Sequence, residues 1–419
     1  MEYGLIGENV TFSYSQYIHS LINENTYSLC SLSKEEVFSL LKEKNFKGIN
    51  VTIPYKEIVI SHLDCLSKEA KSIKVVNTII NKEGKLIGYN TDSLAFEHLL
   101  KANNIDVSNK KILVLGSGGT SKTIKYILLK HQAKQIYFVS RTKKKNTITY
   151  LEAENIYDID IIINATPYGM YPNIEEKSLI NIKNYPYLEA CIDVIYNPLK
   201  TPLLIEAKER NVKIVSGLEM LVYQACFASE LFLNKKYSPS FIRSIYRQTL
   251  LKFTNIILIG MPASGKTTAG NSLAQKLNLP FYDVDLEIEK KMKMKIKDIF
   301  AKFGEEEFRK IESEVISTLS EKQGVVIALG GGSLLKKENA HKIIRNSTSI
   351  FINRDLSFIK KNTKAKLTRP LLEKEGAIDE LYLSRYKTYQ TYSDIEIVTN
   401  GTKLNTLNKI LEALLWNLW

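Results

Sequence analysis

At 419 residues the chain exceeds what one hydrophobic core usually supports, so two or three domains are expected, each able to bury its own core. A formal charge of +13, from 58 Lys plus Arg against 45 Asp plus Glu, favours anionic partners, either nucleic acid or small phosphorylated and carboxylated ligands. Cys30, Cys65, Cys191 and Cys226 are too scattered for a disulfide framework or a zinc site, and no apolar run approaches a membrane span, which points to a reducing, cytoplasmic setting without a membrane partner.

Apolar runs of strand length alternate with helix-period segments throughout, the pattern of α/β domains with mostly parallel sheets. In chain order, strands are expected at YGLIG, TYSLC and GINVTI, with a helix over SKEEVFSLLKEK between the latter two. A hairpin follows at NTIINKEGKLIGYN, and then a helix from about Asp92. From Lys110 a βαβ series begins: strand KKILVLG, a glycine turn, helix TSKTIKYILLKH, strand QIYFVSR and strand DIDIIINAT.

The turn LVLGSGGTSK, with Gly116, Ser117, Gly118, Gly119 and Thr120, is a truncated dinucleotide fingerprint, and taken alone it reads equally as an ordinary strand-to-helix turn. The next strand ends in SRTKKK, where an NAD site usually places an acid for the ribose hydroxyls. Ser140, Arg141, Thr142 and Lys145 offer a cationic, hydrogen-bonding edge instead, which suits the 2′-phosphate of NADP(H). Upstream, GINVTIPYK ends in Lys56 and GYNTD in Asp92. A lysine held by a carboxylate can pass a proton to a forming alkoxide, although such a pair is more often a surface ion pair. The clusters TKKKN (142–146) and EKKMKMKIK (289–297) are short and read as solvated faces or ligand rims, and none of the five histidines falls in a position suited to catalysis.

Residues 1–251 resemble shikimate dehydrogenases in SYS (13–15), GINVTIPYK (48–56), VVNT (75–78), GYNTD (88–92), the GSGG loop, SRT (140–142), NATPYGM (164–170), DVIYNPLKTPLL (193–204) and GLEMLVYQA (217–225). The resemblance implies that Ser13, Ser15 and Tyr196 bind the substrate carboxylate and that Thr52, Asn77, Asp92 and Gln224 bind ring hydroxyls. Lys56 becomes the proton donor, and Thr166, Ile195 and Gly217 line the nicotinamide side. Phe12 and Gln16 flank the serines where the family has His and Pro, and Lys74 and Val75 replace its Gly-Ala.

SPSFIRSIYRQTLL (238–251) opens with a helix-start Ser-Pro and reads as the helix closing the first half. Strand NIILIG then leads into GMPASGKTT, a GxxxxGK[ST] phosphate loop in its proper strand-to-helix context. Ala263, Ser264, Gly265, Thr267 and Thr268 would cradle ATP with their backbone, Lys266 would reach the outer phosphates, and Thr267 would ligate Mg²⁺. FYDVD places Asp283 and Asp285 at a strand end, and Arg309, the LGGG turn, Arg369 and Arg385 follow.

This order resembles shikimate kinases across 254–400, through the phosphate loop, DVD (283–285), IFAKFGEEEFRKIE (299–312), ALGGGS (328–333), RPLL (369–372) and LYLSRYKTY (381–389). By that likeness Arg309 and Arg385 clamp the shikimate carboxylate, Gly331 backs the ring, Asp285 meets its hydroxyls, Asp283 helps hold the metal, and Arg369 closes over ATP from a lid. Two ATP-side arginines of the family are absent, with Asn362 at one position and Thr402 and Lys403 near the other.

The expected architecture is therefore α/β throughout. A two-lobed dehydrogenase (1–252) has an α/β substrate lobe, 1–104 and 218–252, and a Rossmann-like NADP lobe, 105–217; a P-loop kinase domain with a parallel sheet follows (253–419). NADPH-dependent reduction of 3-dehydroshikimate and ATP-dependent phosphorylation of shikimate are the activities this implies, with no nucleic-acid partner and a monomer or homodimer both open. The competing readings are a quinate-type NAD dehydrogenase fused to another small-metabolite kinase, and a nucleotide-sensing protein that binds nucleic acid; Arg141 argues against the first, and the acidic FYDVD and GEEEF stretches against the second.

Overall fold

The computed structural model describes residues 1–23, 26–174, 177–364 and 377–417. It divides into two compact units, Met1–Thr249 and Leu250–Trp419, and the division falls inside the helix Pro239–Phe253, where the sequence placed a junction at 252/253.

The first sheet of the N-terminal unit contains β1 (Tyr3–Gly7), β2 (Tyr27–Ser31), β3 (Gly48–Val51), β4 (Cys65–Leu66), β5 (Thr78–Lys82) and β6 (Lys85–Tyr89), in the order β2-β1-β3-β5-β6-β4. It is mostly parallel, as expected, with β5 alone reversed: β5 pairs antiparallel with both β3 and β6. The two-residue turn between β5 and β6 places Glu83 at φ 52° and Gly84 at φ 83°, the double left-handed conformation whose twist matches a hairpin. The helix Lys34–Glu43 begins where Ser33 and Glu36 form a reciprocal capping box, and it buries Val37 and Leu41 against the sheet core of Ile6, Ile49 and Ile79. Each such aliphatic side chain contributes roughly 1.5–3 kcal/mol by leaving water. The helices Ser15–Ile22 and Lys68–Ile73 and β4, of 8, 6 and 2 residues, are too short to stand out beforehand.

The second sheet is wholly parallel: β7 (Lys111–Leu115), β8 (Gln135–Val139), β9 (Ile161–Asn164), β10 (Ala190–Asp193) and β11 (Lys213–Ser216), ordered β11-β10-β9-β7-β8. From β7 the chain passes to β8 on one side, and the later strands add on the other, so the loops after β7 and β9 diverge and leave a crevice at the carboxyl edge.

The C-terminal unit holds a third parallel sheet: β12 (Asn255–Ile259), β13 (Phe281–Asp283), β14 (Val326–Ala328), β15 (Ser347–Asn353) and β16 (Ile395–Val398), ordered β13-β14-β12-β15-β16. Every residue of β12 is buried, as a central strand covered on both faces requires, and this strand delivers the phosphate loop.

Candidate active sites

In the N-terminal unit a cavity of about 530 Å³ opens at the crevice beside β7 and β9. It brings together the residues expected to bind carboxylate (Ser13, Ser15, Tyr196), ring hydroxyls (Thr52, Asn77, Asp92, Gln224) and nicotinamide (Thr166, Ile195, Gly217), with Lys56 and Thr120. Lys56 Nζ lies 2.7 Å from Asp92 Oδ2, with the two side chains only 15% and 9% exposed, so this is no surface ion pair. Asp92 stands in the first turn of the helix Thr91–Ala102, where the backbone N–H groups favour a carboxylate. Ser13 and Ser15 share a hydrogen bond of 3.0 Å, and the half-buried Tyr196 hydroxyl, its pKa raised by desolvation, also bonds Ser13.

Asn77 is held before any ligand arrives. Its amide donates to Thr91 Oγ1 at 2.9 Å and accepts from the Thr91 backbone at 2.7 Å. Gly217 is obligatory because a β-carbon there would lie 2.0 Å from the Val194 carbonyl oxygen.

The dinucleotide loop fits a pyrophosphate. The helix Gly119–Lys130 has no side-chain cap and no acid in its first turn, and open space faces Gly118. Gly116, at φ 110°, packs against Ala165 and Thr166, and a β-carbon on Gly119 would lie 3.7 Å from Lys56 Cβ, which brings the loop, with Ser117, alongside Lys56. Arg141, Thr142 and Lys145 are exposed beyond β8, as a 2′-phosphate requires. Ser140 differs: its hydroxyl donates to the Thr142 carbonyl and meets Thr147 at 3.2 Å, so it pins the loop that carries the cations.

In the C-terminal unit, Lys266 Nζ donates to the Gly260 and Met261 carbonyls at 2.9 and 2.8 Å. The helix it opens, Lys266–Leu277, is uncapped and free of acids in its first turn, a fit for ATP phosphates, with Thr268 also in that turn. Ala263 takes a left-handed φ of 62° and Gly265 one of 94°, the turn that aims the loop N–H groups inward, while Ser264 is fully buried. Thr267 Oγ1 donates to Asp283 Oδ2 at 2.5 Å, which brings the two expected Mg²⁺ residues together. One hydroxyl and one carboxylate are hard oxygen donors of the kind that would hold Mg²⁺ with nucleotide phosphates and water in the rest of its shell.

One expectation is corrected. Asp285 lies on the helix Val284–Met292, not on a strand end, because Asp283 Oδ1 caps that helix by accepting from the Asp285 and Leu286 backbones at 3.0 and 3.4 Å. The side chains expected to bind the acceptor converge on the LGGG turn. β-carbons placed on Gly330, Gly331 and Gly332 would meet Asp285 Oδ1 at 2.9 Å, Arg385 Nη1 at 3.2 Å and Arg309 Nη1 at 2.7 Å, so the turn must be glycine for these side chains to converge. Gly331 also lies against Pro262 of the phosphate loop. Arg385 is buried, and its Nε has no hydrogen-bond partner among the described residues, a donor suited to an incoming carboxylate. Arg369, and RPLL with it, lies outside the described residues, as does the side chain of Asn362.

Other site residues escaped the sequence reading. Glu312, fully buried, accepts from Arg309 Nη1 at 2.7 Å and from Ser333 Oγ at 2.6 Å. Its signal was the i, i+3 spacing from Arg309 on one helix. Tyr389 donates to the Gly331 carbonyl at 2.5 Å, and Asn90 joins the Val75 carbonyl to Thr123 at 3.0 and 3.1 Å. Tyr389 has no local sequence signal, whereas that of Asn90 was its N-cap position before the helix Thr91–Ala102.

Residues 5–79 match the shikimate dehydrogenase substrate binding domain, and residues 262–415 match shikimate kinase. The chain is 38% identical over 269 residues to an NADP(+)-type shikimate dehydrogenase of Clostridium perfringens, covering 60% of this chain and 99% of that one. Shikimate dehydrogenase 1 of Peptoclostridium difficile, a crystal structure, is 37% identical with a TM-score of 0.56, covering 60% of this chain and 98% of that one. The shikimate 5-dehydrogenase of Thermus thermophilus, solved with NADP(H) and shikimate, is 30% identical with a TM-score of 0.53, covering 59% of this chain and 99% of that one. No described helix is long and apolar enough to cross a membrane. The chain belongs to the shikimate dehydrogenase family in its N-terminal unit and carries a shikimate kinase domain in its C-terminal unit, a bifunctional shikimate-pathway enzyme that uses NADP and ATP.

Proposed function

We propose that the N-terminal unit reduces 3-dehydroshikimate to shikimate and that the C-terminal unit phosphorylates shikimate to shikimate 3-phosphate. The observation that carries this reading is the Lys56–Asp92 pair at 2.7 Å, inside the same cavity as Ser13, Ser15 and Tyr196. NADPH supplies a hydride and MgATP a phosphoryl group when bound; the remaining work belongs to side chains.

In the first site, the hydroxyls of Ser13, Ser15 and Tyr196 hold the substrate carboxylate, and Asn77, Thr52 and Gln224 orient the ring hydroxyls. Lys56 protonates the carbonyl oxygen as it becomes an alkoxide, while Asp92 holds the Lys56 side chain in place at 2.7 Å. Arg141 and Lys145 select the 2′-phosphate. In the second site, Arg309 and Arg385 fork onto the carboxylate, and Asp285 accepts the proton of the attacking hydroxyl. Lys266 would steady charge on the phosphates, and Thr267 with Asp283 would hold Mg²⁺. The lid residue Arg369 is assigned charge stabilisation over ATP, by family likeness alone.

Mass spectrometry of a reaction of the intact chain with 3-dehydroshikimate, NADPH, ATP and Mg²⁺ tests this. The expected products gain two hydrogens and then one phosphoryl group; recovery of unchanged 3-dehydroshikimate would reject the reading.

A further inference from the structure

Arg354 follows β15 and lies 6% exposed against the back of the phosphate loop. Its guanidinium ties two segments that are distant in sequence. Nε donates to the Ser264 carbonyl at 2.8 Å, Nη1 to the Gly401 carbonyl at 3.2 Å, and Nη2 to Thr406 Oγ1 at 3.1 Å. Thr406 meets Thr399 at 3.1 Å, so the contact extends through the 399–406 segment, and the guanidinium covers the Phe358 ring with its carbon 4.2 Å from the centroid. A β-carbon on Gly265 would lie 3.7 Å from Nη2, so the cation abuts the phosphate-binding turn itself.

Among the described residues no carboxylate pairs with this guanidinium; its contacts are carbonyls, a hydroxyl and a ring. Burial without a counter-ion is costly for a cation, and desolvation indeed lowers its pKa. The nearest chemistry able to offset the charge is a polyanion seated on the loop, whose own helix start contains no acid. The bonded carbonyl of Ser264 belongs to the turn that must present its N–H groups to that anion.

We propose that Arg354 is a positioning residue for the nucleotide: it locks the phosphate loop to the Gly401 segment and supplies a buried positive charge that a bound polyphosphate neutralises. This rests on the kinase reading of the unit only as far as MgATP binding; the identity of the acceptor does not enter. It also assigns a nucleotide-side cation to a chain that lacks the two family arginines at Asn362 and in the Thr402–Lys403 region.

The test is calorimetric titration of the intact chain with MgATP and no acceptor, for the wild type, Arg354→Lys and Arg354→Met. Loss of charge-assisted hydrogen bonds of this kind weakens binding about 10- to 100-fold in Arg354→Met. In Arg354→Lys, which keeps the charge but loses the fork, the expected loss is roughly 3- to 10-fold. The Michaelis constant for shikimate and the NADPH-dependent activity of the same preparations should stay within about twofold, since the arginine's contacts are the phosphate loop, the 399–406 segment and Phe358, none of them an acceptor residue. MgATP affinity within about twofold of wild type in a folded Arg354→Met overturns the proposal, as does a shikimate constant that rises in step with that for ATP. If Arg354→Met does not fold, the Lys variant decides: unchanged MgATP affinity there overturns it. Wild-type MgATP binding without phosphorylation of shikimate would instead fault the acceptor assignment and leave this measurement standing.

Discussion

Lys56 Nζ and Asp92 Oδ2 sit 2.7 Å apart although they come from the loop after β3 and the helix after β6, and both side chains are largely shielded from water. A shielded lysine beside a carboxylate fits the proton donor proposed for this site. Lys56→Ala is expected to lower dehydrogenase turnover by about 10²–10⁴-fold, the usual share of a general acid. The Michaelis constant for NADPH should change little. Steady-state kinetics with the kinase reaction of the same sample as control reads the effect.

The NADP preference is assigned to the exposed edge beyond β8. Replacing Arg141 with Ala removes one charge-assisted contact to a 2′-phosphate, worth roughly 1.5–3 kcal/mol. NADPH binding should weaken by about 10- to 100-fold while NADH binding is unchanged. An unaltered NADPH-to-NADH ratio in fluorescence titrations would contradict the assignment.

Arg385 has a buried Nε without a partner among the described residues and an Nη1 aimed at Gly331. Arg385→Met should raise the shikimate constant of the kinase by about 10-fold or more, as loss of a fork onto a carboxylate implies. The constant for ATP should hold. Arg309→Met should do the same but also destabilise the unit, because it strands the buried Glu312.

Two buried groups in the N-terminal unit oppose each other in pH. Burial pushes His19, stacked on Tyr27 at 3.8 Å, down to about 3 from 6.5. Between those values the unfolded chain binds the extra proton, so His19 makes stability rise with pH. Burial pushes Asp193 up to about 7 from 3.8, against hydrogen bonds from Thr201, Asn164 and the Ile195 backbone. There the folded chain binds the extra proton, so Asp193 makes stability fall as pH rises from about 4 to about 7. The contributions cancel over the shared window. Asp193→Asn should expose a positive slope between about pH 4 and 6.5, up to about 1.4 kcal/mol per pH unit, and His19→Gln a negative one. Urea denaturation of the N-terminal transition across this range checks both signs.

Much of the two sites was legible because their residues lie in contiguous stretches whose spacing carries the chemistry: GMPASGKTT, GINVTIPYK and GYNTD each bring loop, strand and reactive side chain together. What stayed hidden acts across the fold. Glu312 matters because it reaches both Arg309 and Ser333, Tyr389 because it holds a carbonyl in the LGGG turn, and Asp193 because it gathers the ends of β9 and β10. Asp285 was assigned to a strand because alternation in FYDVD looks extended, whereas the capping carboxylate of Asp283 starts a helix one residue earlier. Lys74 shows the limit from the other side: it stands where the resemblance leads one to expect glycine, and as C-cap of the helix Lys68–Ile73 it takes a left-handed φ of 59° itself. The backbone requirement was not visible in the substitution.

The central claim is that one chain forms shikimate in one unit and phosphorylates it in the other. A coupled assay on the intact protein follows NADPH loss with 3-dehydroshikimate and then ADP release after addition of ATP and magnesium. Both signals are expected from the wild type; Lys56→Ala should remove the first and restore the second only when shikimate is supplied, and Lys266→Ala should remove the second alone. NADPH consumption with no ADP formed, or ADP formed equally without shikimate, would contradict the account.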